Sequence, residues 1–114
     1  MPKGTDGGVE TFVARLRRSI AACRTALCVG IDPPLEELPA FFRQDLATSG
    51  PGVYLDNYCA TLLEAAAGVA PAVKFQSAYF EAHGEVGVGA LRRGLAAAKR
   101  RGLLTILDAK RGDI

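Results

Sequence analysis

The sequence predicts an α/β fold built on a parallel sheet, and three observations lead there. Short apolar runs at Thr25–Ile31, Ala70–Phe75 and Leu103–Leu107 lack the polar alternation of a half-exposed strand, which suits parallel strands covered on both faces. Between them lie stretches with helical spacing of apolar residues. Each run also ends in a charged residue: Asp32 after the first, Lys74 near the end of the second, Asp108 and Lys110 after the third.

The elements follow in order. Val9, Phe12, Val13, Leu16 and Ile20 recur at helical spacing, with Thr5 or Asp6 as a cap and Arg15, Arg17 and Arg18 on the polar face. The first strand, from Thr25, stops at Asp32-Pro-Pro because neither proline can donate to a ladder. Leu35 to Leu46 is expected as a loop and a short helix, and Thr48-Ser-Gly-Pro-Gly52 as a second break. From Val53 to Ala67, with Tyr54, Tyr58, Leu62, Leu63 and Ala66 inward, a helix is predicted, capped by Gly68. The second strand is followed by one or two helical turns from Ser77 to His83. A full helix from Gly87 to Arg101 then places Leu91, Leu95 and Ala98 inward, with a basic last turn and Gly102 beyond it. No internal repeat points to a solenoid.

Composition excludes several classes. Fourteen basic against twelve acidic residues leave a formal charge of +2, too small and too well mixed for a nucleic-acid or membrane surface. The three cysteines, Cys23, Cys28 and Cys59, are odd in number, show no Cys-x-x-Cys spacing and have one histidine for company, so neither a disulfide framework nor a structural zinc site is expected. Cys28 and Cys59 read as small apolar fillers and His83 as a partly exposed helix residue with a structural role. The N-terminus lacks the apolar core of a signal peptide, and no stretch approaches the ~20 apolar residues of a membrane span, so a soluble, cytoplasmic protein is expected.

In parallel α/β folds the C-terminal ends of the strands line up on one face, so Asp32, Lys74, Asp108 and Lys110 should converge. Period-two geometry puts Leu104, Ile106, Asp108 and Lys110 on one side of the third strand. Taken singly, each has a plainer reading: a snorkelling lysine, a turn-forming aspartate, a surface ion pair of little energetic weight. Their joint placement at equivalent strand ends is what favours function.

At Asp108-Ala-Lys-Arg-Gly-Asp113 the sequence resembles orotidine 5′-phosphate decarboxylase, which converts orotidine monophosphate to UMP in pyrimidine synthesis. Leu27-Cys-Val-Gly-Ile-Asp-Pro33 is similar to that family's first strand, and Val73-Lys-Phe-Gln-Ser-Ala-Tyr-Phe-Glu81 to its second, in the longer bacterial form. The resemblance runs from about Thr11 to Ile114. It implies that residues 1–114 are a single partial domain, the N-terminal part of a TIM (β/α)8 barrel truncated after its third strand, since a closed barrel takes ~250 residues. It also implies that Asp32 and Lys74 hold ribose hydroxyls and that Lys74, Asp108, Lys110 and Asp113 form the catalytic charge network. Asp113, accompanied by Ile114, would enter the active site of the other subunit of a homodimer. No metal or organic cofactor is implied. Lys110, flanked by Asp108 and Asp113, would stabilise charge at C6 and protonate it.

The residues that would grip phosphate in such a barrel, in loops after strands 7 and 8, are not identifiable in this sequence. A polypeptide of these residues alone is therefore expected to have little or no decarboxylase activity. Two other readings are compatible with the residues: a related decarboxylase of a phosphorylated sugar, often metal-dependent, or a truncated product without catalysis.

Overall fold

The structure is a computed structural model that describes residues 9–112. Its order is α1 (Phe12–Cys23), β1 (Cys28–Ile31), α2 (Ala40–Ser49), α3 (Pro51–Ala66), β2 (Ala72–Gln76), α4 (Ser77–Glu81), α5 (Gly84–Arg100) and β3 (Leu104–Asp108). The strands form one parallel sheet in the order β1-β2-β3, so the predicted α/β class holds.

Local chemistry sets most boundaries. The Thr11 hydroxyl accepts from the Ala14 amide at 3.1 Å and caps α1, whereas the expected caps Thr5 and Asp6 lie outside the described residues. Val9 precedes that cap and is exposed. The α2 helix runs further than predicted and is separated from α3 by Gly50 alone, at φ 88°. Such a φ is open to glycine without steric cost, and Pro51 then starts α3 where a missing amide hydrogen does no harm. The β2 strand begins two residues later than expected, after a turn in which Val69 and Ala70 both donate to the Ala66 carbonyl. His83, expected within a helix, lies instead in the turn between α4 and α5, immediately before the latter, and is half-buried.

The core sits between the sheet and the α3–α5 pair. Ile31, Val73 and Phe75 face it from the sheet, and Leu55, Cys59, Leu63, Leu91 and Ala98 from the helices. Gly94 permits the close approach of α5: a Cβ there would lie 2.9 Å from the Phe75 ring and 3.3 Å from the Cys59 sulfur. Beneath the loop after β1, Phe42, Tyr54 and Tyr58 form an aromatic cluster with ring centroids 5.2–6.1 Å apart.

Two expectations are corrected. Ala72 and Leu104 are buried at the start of β2 and β3, but the rest of their face of the sheet is left uncovered among the described residues, and Cys28 and Gly30 of β1 and Ile106 of β3 look out from it. Cys28 is accordingly exposed on the open face rather than an apolar filler, while Cys59 is buried as expected. An unbroken apolar run signals low polarity on both sides of a strand. It does not say whether helices or neighbouring strands cover the second side.

Candidate active site

Register carries the site. Lys74 in β2 lies between Gly30 of β1 and Ile106 of β3, and Gln76 pairs with Asp108. Residues two apart share a face, so Lys74, Gln76 and Asp108 all project from the open side of the sheet. Gly30 contributes no side chain there and leaves room beside Lys74.

Asp108 is the hub. Its Oδ2 accepts from Lys110 Nζ at 2.7 Å, from Gln76 Nε2 at 3.1 Å and from Lys74 Nζ at 3.2 Å. Both lysines meet the distance for ion pairs. The Lys110 hydrogen bond, then that from Lys74, holds the Asp108 carboxyl below the usual carboxylate range, against the opposing effect of desolvation. Lys110 is exposed at the mouth of the open face, Lys74 and Asp108 half-buried. The result is a row of alternating charges, Lys74–Asp108–Lys110, along the C-terminal edge of two parallel strands.

Asp32 follows β1 on the same side. Its Oδ1 lies 3.6 Å from where a Gly30 Cβ would stand, on the face that carries Lys74. It is exposed and forms no ion pair with another described residue, so the structure brings it near the row without joining it. The loop that follows it is held from below: the Tyr54 hydroxyl donates to the Pro34 carbonyl, and burial pushes the Tyr54 phenol up to about 12. Burial, and then the Asp32 charge, raise Tyr58 as well. Asp113 and Ile114, the remaining residues singled out in the sequence, lie outside the described residues.

Two features escaped the sequence reading. Gln76 donates to the hub, and the available signal was its place two residues after Lys74. A second cluster joins α4 to the segment after β3: the Ser77 hydroxyl donates to Glu81 Oε2, which also accepts from Arg111 Nη2 at 2.9 Å. A groove of about 520 Å³ runs beside the site between the loop after β1 and α4, lined by Pro33, Pro34, Leu35, Ala78, Tyr79 and Ala82 among others. Among the described residues no three His, Cys, Asp or Glu side chains gather at one point. No described helix is long and apolar enough to cross a membrane.

Comparison with known proteins bears out the resemblance read from the sequence. No family model matches the chain. An orotidine 5′-phosphate decarboxylase of Rhodopirellula baltica is 35% identical over 107 residues, 91% of this chain and 35% of the relative. One of Streptomyces coelicolor is 40% identical over 106 residues, 93% of this chain and 36% of the relative. Among solved structures, a Streptomyces avermitilis protein assigned as orotidine 5′-phosphate decarboxylase superposes with a TM-score of 0.72 at 38% identity, covering 98% of this chain and 38% of that one. Leishmania donovani UMP synthase gives 0.69 at 31% identity, covering 93% of this chain and 20% of that one. The chain thus spans about a third of the length of the curated relatives it matches.

Proposed function

We propose that this chain is one part of a (β/α)-barrel orotidine 5′-phosphate decarboxylase, forming UMP and CO₂ for pyrimidine synthesis. The observation that carries the reading is the Lys74–Asp108–Lys110 charge row at the C-terminal edge of the parallel strands, where such barrels place their chemistry. The kinship to named decarboxylases over about nine-tenths of the chain supports it.

In the proposed reaction the bond from C6 of the pyrimidine to the carboxylate carbon breaks, and its electron pair stays on C6. The Lys110 ammonium lies closest to that charge and delivers a proton to C6, becoming a neutral amine that solvent reprotonates. Asp108, kept ionised by three donors, holds the ammonium in place and crowds the departing carboxylate. Repulsion between two carboxylates in a partly wet site falls well short of the ~23 kcal/mol that the most demanding enzymes supply. Binding of the remote ribose and phosphate must therefore provide much of the remainder. Asp32 and Lys74 take the ribose hydroxyls, and Asp113 of the partner subunit of a homodimer completes the network. Described residues offer no phosphate-gripping loop, so a polypeptide of these 114 residues alone is expected to be inactive.

The test is Lys110→Ala in the native polypeptide that carries these residues. Loss of the proton donor is expected to lower kcat by ~10²–10⁴-fold, with a smaller change in KM for orotidine monophosphate. An unchanged kcat would remove Lys110 from the chemistry.

A further inference from the structure

The Arg111 guanidinium touches two things at once. Its Nη1 donates to the backbone carbonyl of Lys110 at 2.9 Å, and its Nη2 donates to Glu81 Oε2, also at 2.9 Å. Glu81 is itself anchored, because the Ser77 hydroxyl one turn earlier on α4 donates to the same oxygen. Those two donors, Ser77 first and Arg111 second, hold the Glu81 carboxyl below its usual range.

From this geometry we infer that Glu81 is a positioning residue for Lys110, acting through Arg111. The inference rests on the proposed role of Lys110. Residues 109–112 lie beyond the last hydrogen-bonded pair of the sheet, Gln76 with Asp108, so the ladder does not fix the Lys110 backbone. Side-chain contacts must do so. The Lys110 ammonium is tethered to Asp108, but a four-carbon stem on an unfixed backbone can reach that oxygen from many directions. A fork from Glu81 to the Lys110 carbonyl removes that freedom at the Cα end. The ammonium then approaches C6 from one direction, and a misplacement of ~1 Å at such a point costs up to ~10²-fold in rate. Ser77 is 3% exposed and begins α4 directly after β2, so the anchor is referred to the same strand that carries Lys74 and Gln76. An arginine suits the task because its planar fork holds a carbonyl and a carboxylate in a fixed mutual geometry, whereas the ammonium of a lysine is a point charge on a flexible stem.

The experiment compares Glu81→Ala, Arg111→Lys and the double variant Glu81→Ala/Arg111→Lys with Lys110→Ala in the native polypeptide. Glu81 is exposed, so the fold should survive, and circular dichroism checks this. For Glu81→Ala the expected result is a kcat lowered at least 10-fold with KM for orotidine monophosphate changed less than about threefold. Arg111→Lys is expected to lose a similar factor, and the double variant no more than the worse single one, because both act through one fork. Glu81→Asp, which keeps the charge on a shorter arm, should recover part of kcat. A kcat for Glu81→Ala within twofold of the unsubstituted protein, or losses that multiply in the double variant, overturns the inference. If Lys110→Ala itself leaves kcat unchanged, the proposed role of Lys110 fails first and the positioning role with it; if Lys110→Ala is inactive and Glu81→Ala is not, only the positioning role fails.

Discussion

One carboxylate oxygen, Asp108 Oδ2, accepts three donors, and its titration follows from them. A folded-state pKa below the unfolded value means that the network's contribution to stability is fully present above the ordinary aspartate range near ~3.9. It is lost as pH falls through the lower folded value. Gln76→Leu removes the one uncharged donor while leaving both lysines. The Asp108 carboxyl, followed by NMR, should then titrate higher than in the unsubstituted protein yet still below ordinary aspartate; an unmoved titration would show Gln76 to be a bystander. At this scale the sequence was partly legible. Lys74, Asp108 and Lys110 announced themselves because a charge at the end of an apolar run is conspicuous. Gln76 is uncharged and was passed over, though period two placed it on the same face. The Glu81–Arg111 pair joins residues thirty positions apart and gave no local sign.

At the scale of elements, α5 meets the sheet through Gly94. Replacing an exposed helical glycine by alanine ordinarily gains up to ~1 kcal/mol, but here the new methyl would press on the Phe75 ring and the Cys59 sulfur. Overpacking of this kind costs ~1–3 kcal/mol, so Gly94→Ala is expected to destabilise by ~1–2 kcal/mol net. In Gly89→Ala the nearest atom is the flexible end of Arg93 at 3.4 Å, and the same helix should gain ~0.5–1 kcal/mol. Denaturant midpoints of the two variants should therefore move in opposite directions. Helix existence and order were legible from periodicity and from glycine and proline. Boundaries were less so: α2 ran on to Ser49 because only Gly50, rather than the whole segment 48–52, is needed to turn the chain.

For the whole molecule, the decisive feature is a sheet covered on one face, with the charge row on the other. If Asp113 serves the site of a partner subunit, two inactive variants should complement each other. Mixing Lys110→Ala with Asp113→Ala under conditions of subunit exchange should restore on the order of a quarter of the activity. Half of randomly assorted dimers are mixed, and each mixed dimer holds one intact site in two. No recovery would place Asp113 and Lys110 in the same subunit's site.

By itself the sequence determined the parallel α/β order, the strand ends on which the charges fall and the kinship of the Asp108–Asp113 motif, since each depends on residues near one another along the chain. Tertiary structure alone decided which face of the sheet stays open, that Gln76 shares the Asp108 oxygen, and that Arg111 ties the Lys110 backbone to Glu81. These depend on strand register and on the seat of α4 against the segment after β3, which arise only when elements far apart in sequence pack together.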